Sequence, residues 1–169
     1  MKQLNSFEIY IRGVKKNINI FKKYNKSLFQ EKSNSIIIYT VYEDRNNHTE
    51  IIKNFLREYS GKYIPKRTEY YKKIIGVNFN KIRIKDQKSR WGSCSSLGNL
   101  NFNYKIIQAP DEIIDYVIIH ELCHLIEMNH SERFWKNVAK YDPKYITNEK
   151  WLKNNTLKLF TINGLAEIK

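Results

Sequence analysis

Three observations predict a mixed fold of strands and helices in a single domain. Alternating or β-branched segments crowd roughly the first forty residues and return over Val77 to Ile84. Apolar residues at helical spacing take over in between and again towards the C-terminus. One stretch, Asp111 to Met128, is apolar around nearly the whole of a helix, which marks it as buried, yet it carries two histidines with a glutamate between them. The 169 residues, 41% of them hydrophobic, suffice for one core of ordinary size.

The elements follow in order. Phe7-Glu8-Ile9-Tyr10-Ile11 and Asn17-Ile18-Asn19-Ile20-Phe21 alternate with period two, and Ser35 to Tyr42 is rich in β-branched residues, so this region reads as an antiparallel meander. Thr49 caps a helix carrying Ile51, Ile52, Phe55 and Leu56; Gly61 is expected to end it, and Pro65 to start a second one that runs to Gly76. Val77 to Ile84 is the next strand. Arg90 to Ser95, a turn at Ser96-Leu97-Gly98-Asn99, and a return strand from Leu100 to Ile107 then form a hairpin just before the apolar helix. That helix is entered through Ala109-Pro110-Asp111, with proline and acids where a first turn favours them. Ser131 to about Tyr141 follows as a helix with Phe134, Trp135 and Val138 inward; Asn148 to Asn155 is expected as the last helix, and Thr156 to Lys169 as a tail.

His120-Glu121-Leu122-Cys123-His124 has the spacing His-Glu-x-x-His, a zinc-hydrolase signature. Residues four apart share a helical face with Cβ atoms about 5–6 Å apart, so both imidazoles can converge on one ion at a Zn–N distance of about 2.0–2.1 Å. Glu121, turned by about 100° from His120, can then reach a water at the remaining coordination position. Burying these polar groups without a partner would be costly, and a divalent ion satisfies them. A continuing helix would carry His130 about 240° away from His124. The helix is therefore expected to break, with Asn129 as a left-handed C-cap and Ser131 as the next N-cap, so that His130 folds back as the third ligand. Glu127 is its competitor, because seven residues after His120 it returns to the same face; otherwise it would orient an imidazole N–H from outside. Arg90, Tyr104 and Arg83 are the candidates to steady a developing oxyanion.

Composition sets the remaining bounds. A net charge of +13 and a pI near 9.6 raise nucleic acid as a neighbour. The lysines are scattered among Asn, Ile and Tyr, however, and Asp111 to Glu132 holds six acids and no Lys or Arg, so a basic solvated surface is the simpler expectation. No apolar run approaches the roughly 20 residues of a membrane span, and nothing at Met1 to Asn5 reads as a leader, so a cytoplasmic protein without membrane contact is expected. Cys94 and Cys123 make no disulfide framework. Cys123 reads as a core thiol; Cys94 has a structural role or approaches the metal in an inhibited state.

Arg90-Trp91-Gly92-Ser93-Cys94-Ser95, Gly98-Asn99, Asp115 through Leu125, Asn129-His130-Ser131 and Phe134-Trp135 together closely resemble the YgjP-like metallopeptidase family, from about Asn80 to Asn155. The family sits with SprT-like and related small zincins. The resemblance implies an α+β domain, a small, mostly antiparallel sheet packed on a buried zincin-type helix, with His120, His124 and His130 as zinc ligands and Glu121 as base. It frames residues 1–155 as one domain, 1–76 being its divergent part, with an insertion-like stretch at Lys22 to Ser35, and 77–155 its motif-bearing core. A peptide or protein substrate is implied. Metal-dependent hydrolysis of nucleoside triphosphates is also attributed to the group, and the cluster Lys81, Arg83, Lys85, Lys88 and Arg90 could serve it by neutralising phosphate. A third reading, a nucleic-acid or protein-complex module with structural zinc, leaves Glu121 without a purpose.

Overall fold

The computed structural model describes residues 3–22, 28–41 and 48–162. Its fold is α+β. Strands β1 (Gln3–Ile11), β2 (Val14–Lys22), β3 (Leu28–Glu31) and β4 (Ser35–Thr40) form one sheet in the order β1-β2-β4-β3. β1 and β2 are antiparallel, as are β3 and β4, but β2 and β4 run parallel, so the sheet is not the expected meander. Burial explains the order. Ile36 and Ile38 of β4 need cover on both sides and take the centre beside Ile18 and Ile20, while β3, ending in Gln30 and Glu31, goes to the edge where polar residues are tolerated. Arg12 and Gly13 turn β1 into β2 with φ of 51° and 75°, the left-handed pair of a tight hairpin. The turn docks on the segment preceding the motif helix, Arg12 N–H donating to Ile107 O at 2.7 Å and Gly13 N–H to Gln108 O at 3.2 Å.

Helix α1 (His48–Ile75) is continuous over 28 residues, through both Gly61 and Pro65. The expected break does not occur because the buried stripe carries on across it, from Ile52, Phe55 and Leu56 to Ser60, Ile64 and Thr68. Packing of that stripe outweighs the local penalty, and the carbonyl that Pro65 cannot bond belongs to the exposed Gly61. The end at Gly76 is as read, with φ of 78° and N–H donating to Lys72 O at 2.9 Å.

Strands β5 (Lys81–Lys85), β6 (Gly92–Cys94) and β7 (Asn99–Asn103) form a second sheet in the order β5-β7-β6, parallel on one side of β7 and antiparallel on the other. The return strand stops at Asn103, short of Ile107. There the Asn103 side chain caps a 3₁₀ turn, Tyr104–Gln108, by accepting from Lys105 N–H at 3.2 Å. Helices α2 (Asp111–Cys123), α3 (Glu132–Tyr141) and α4 (Tyr145–Phe160) complete the chain; α4 takes in part of the expected tail, of which 163–169 lie outside the described residues. Among the described residues no helix is long and apolar enough to cross a membrane.

Two carboxylates fix α2 in place. Asp115 accepts from both Arg67 nitrogens at 2.6 Å and from Tyr71 OH at 2.8 Å, and Asp111 from Arg12 Nε at 2.7 Å and Tyr63 OH at 2.9 Å. These planar, bidentate pairs set the position of α2 against α1 and the β1–β2 turn.

Candidate metal centre

Helix α2 ends one residue before the second histidine. His124 is its C-cap (φ −64°, ψ −18°), and the chain leaves by tight turns, Leu125 N–H to Leu122 O and Ile126 N–H to Cys123 O, both 3.0 Å. Asn129 is not the expected left-handed cap, since Arg12 and Ile162 are the only non-glycine residues with positive φ among those described. The break nevertheless has the expected effect. Ser131 caps α3 by accepting from Phe134 N–H, and His130, just before it, turns back onto His120 with the two Nε2 atoms 3.0 Å apart.

His120, His124 and His130 each offer a ring nitrogen, all within 4.8 Å of one another. Nitrogens in a tetrahedral zinc shell stand roughly 3.3 Å apart, so little movement separates this arrangement from a coordination sphere. Burial, reinforced by His124 and His130, lowers the His120 pKa to about 3; burial and His130 lower that of His124. Neutral rings pressed edge to edge present lone pairs to a shared space, and a cation resolves that crowding, so the donor set fits a metal ion. His124 Nδ1 lies 3.3 Å from Glu127 O, a contact that as a donated hydrogen bond leaves Nε2 free to coordinate. The orienting acceptor is thus the backbone of Glu127, not its carboxylate, which pairs with Arg133 at 3.8 Å.

A wall of aromatic rings holds the imidazoles. Phe134, fully buried, stacks on His124 with centroids 4.5 Å apart and meets His130 at 4.8 Å and His120 at 4.9 Å. Trp135 stacks on His130 and is itself stacked on Tyr145 of α4. Helical spacing marks Phe134 as buried; that it touches all three histidines depends on the chain folding back at His130.

Glu121 is only 6% exposed. Burial raises its pKa to about 8, against the lowering influence of Arg90. Arg90 is itself exposed and near enough for its charge to act on that carboxyl group. Tyr104 is elsewhere. With the return strand ending one residue before it, its ring is fully buried, its carbonyl accepts from Ser60 Oγ, and Arg57 stands 5.0 Å above its centroid. These contacts place it in the core, and none of them is with the histidines or Glu121, unlike what an oxyanion-steadying role expects. Arg83 drops out by register. Arg83, Asn101 and Ser93 share one sheet face, whereas Gly92, which meets Glu121, shares the other with Phe102 and Ile84. Lys81 and Lys85, two residues either side of Arg83, also point away from the site. Gly92 itself carries a signal that sequence reading passes over, because its contact with Glu121 is made between a strand and a helix far apart in the chain.

A buried His-Glu-x-x-His helix, with a third histidine folded back onto it and a buried glutamate next in chain to the first, is the frame of a metal-dependent hydrolase of the peptidase type. The chain belongs to the YgjP-like metallopeptidase family, whose domain matches residues 2–155. No curated protein sequence matches it. Among solved structures it is similar to the metallopeptidase zymogen abylysin of Pyrococcus abyssi, at 24% identity over 55% of this chain and 95% of that one, with a TM-score of 0.50, a likeness of fold. The zymogen jannalysin of Methanocaldococcus jannaschii is 25% identical over 56% of this chain and 95% of its own, with a TM-score of 0.47.

Proposed function

We propose that the protein is a zinc peptidase acting on extended segments of polypeptide, with His120, His124 and His130 as metal ligands and Glu121 as general base. The convergence of three ring nitrogens within 4.8 Å, with the buried Glu121 next in chain to the first of them, carries this reading. Among the described residues no fourth His, Cys, Asp or Glu joins the group. Three protein donors with a position left over suit catalytic zinc, whereas a structural site closes with four.

His120, His124 and His130 would hold the ion, which would supply Lewis acidity to the scissile carbonyl and to a water. Glu121 takes the proton of the attacking water and returns it to the leaving amine. A cation held by the neighbouring histidines would favour the ionised form of this buried carboxyl group, the form that accepts the proton. Arg90, exposed and acting on Glu121 through its charge, is the candidate to face the negative charge on the carbonyl oxygen. Strand β6 lies at the edge of its sheet, paired only with β7, and its other edge can hydrogen-bond an extended substrate. With Lys81, Arg83 and Lys85 on the outer sheet face, only Lys88 and Arg90 of the basic cluster are left to meet phosphate, which favours a peptide over a nucleoside triphosphate. Those three residues suit an anionic neighbour, nucleic acid included, on the outer face.

Glu121→Gln tests the reading. Zinc content and folding should persist while hydrolysis of an unfolded protein substrate falls by about 10²–10⁴-fold. Undiminished hydrolysis, or cleavage of nucleoside triphosphates with no peptide cut, would overturn it.

A further inference from the structure

Glycine 92 stands where edge strand and motif helix come closest. A Cβ built on it would lie 2.6 Å from Oε1 of Glu121, 2.7 Å from its Cγ and 2.8 Å from its Cδ. Real Cβ atoms essentially never approach heavy atoms within 3.0 Å, and the three contacts run from Cγ to the carboxylate, so rotation of the carboxylate tip alone does not relieve them. Conformation is not the reason for glycine here, since the glycines with positive φ are Gly13, Gly76 and Gly98. Space is.

Neither backbone has room to retreat. The loop leading into β6 is tied down by the buried Asn103, whose side chain donates to Gln87 O at 2.8 Å and Arg90 O at 3.2 Å, and whose N–H donates to Trp91 O at 2.8 Å. On the helix side Leu122 and Cys123, next to Glu121, are fully buried. A side chain at position 92 therefore displaces the Glu121 arm.

We propose that Gly92 is a positioning residue for the hydrolytic reaction: its missing side chain lets the Glu121 carboxylate lie directly against the strand edge that pairs with substrate. The proposal rests on the reading of Glu121 as base, but the contact can be tested apart from it. A larger residue at position 92 would move the base away from the bond to be cut while leaving the three histidines, held by Phe134 and Trp135, in place.

The experiment is a double-mutant cycle of Gly92→Ala and Glu121→Ala, read by thermal unfolding of the metal-free protein, by zinc content, and by kinetics on an unfolded protein substrate. Gly92→Ala should lower the melting temperature by roughly 5 °C, in keeping with an overpacked contact in a chain of this size. In the Glu121→Ala background, where the arm is gone, the same substitution should change it by less than about 1 °C. Zinc content should match the parent, and kcat should fall by about 10²-fold with KM little changed, since substrate still meets the strand edge. An equal loss of stability in both backgrounds would overturn the contact, and parental kcat in Gly92→Ala would overturn the positioning role. Should Glu121→Ala keep full activity, the assignment of the base fails instead, and the unfolding cycle still decides whether residue 92 and the glutamate arm compete for one space.

Discussion

Replacing Phe134 by alanine separates the packing of the metal centre from its ligation. The ring is fully buried and lies within 5 Å, centroid to centroid, of all three imidazoles. Its removal deletes buried apolar surface and leaves a cavity, which together cost about 3–5 kcal/mol in a core. That loss should appear in full when the chelated protein is unfolded with urea. With zinc present the loss should be larger. Rings freed from their wall must be ordered again by the ion itself, a fault of the kind that weakens metal binding about 10–100-fold. Each factor of ten removes about 1.4 kcal/mol of the stabilisation that bound ligand confers, so the zinc-loaded variant should lose a further ~1.4–2.8 kcal/mol. Urea unfolding with and without excess zinc, together with a zinc competition titration, measures both parts. If zinc stabilises Phe134→Ala as strongly as the parent protein, the aromatic wall does not organise the ligands and the reasoning fails.

Three further predictions follow from other parts of the structure. His130→Ala should abolish tight zinc binding, whereas Glu127→Gln should alter it little, since only the backbone carbonyl of Glu127 meets His124; chelator competition that ranks them in the opposite order would reassign the third ligand. Gly61→Ala should stabilise the protein by about 0.5–1 kcal/mol, because position 61 is interior to α1 and a Cβ there meets nothing within 4 Å. Gly76→Ala should destabilise it by about 1–2 kcal/mol, because φ is 78°; urea midpoints that move in the same direction for both would show that α1 is interrupted near Gly61. Arg12, and after it Tyr63, hold the Asp111 pKa below its usual value. A carboxyl group depressed in the folded state contributes stability above its unfolded pKa of about 3.9 and loses it as pH falls through the folded value. Asp111→Asn should therefore flatten the acid limb of stability below about pH 4 in unfolding midpoints taken from pH 5 to pH 2, and superimposable limbs would exclude the pair as a source of acid sensitivity.

What could be read from the sequence was local. The spacing of His120 and His124 is fixed by helical geometry, and the need for a break before His130 follows from the same geometry, so the metal centre is visible without knowing what it packs against. Asn129 is not the left-handed cap because several turn geometries end a helix equally well, and neighbouring residues do not choose among them. Gly61 and Pro65 misled for the opposite reason: their local preference is real, but the buried stripe of α1 outweighs it through partners far away in sequence. Which strands pair is likewise not written in any one strand, and Ile36 to Ile38 would alternate identically in a meander. Tyr104 follows Leu100 and Phe102 at the spacing of one strand face, and all three are buried, so its place in the core depends on which face of that strand is covered, a fact set by partners distant in sequence.

Helix α1 has a mechanical consequence. Its 28 residues span about 42 Å and carry Phe55 against Phe29 near one end and Arg67 and Tyr71 against Asp115 further along. One strut thus joins the first sheet to the helix that bears the histidines, with no joint at Gly61 or Pro65 to absorb movement between them. Because one helix packs on both, the first sheet and the metal-bearing half should melt as one unit. Such a frame has little means of closing around its substrate. On the proposed reading, the polypeptide to be cut does the adapting, entering already straightened and free of its own fold.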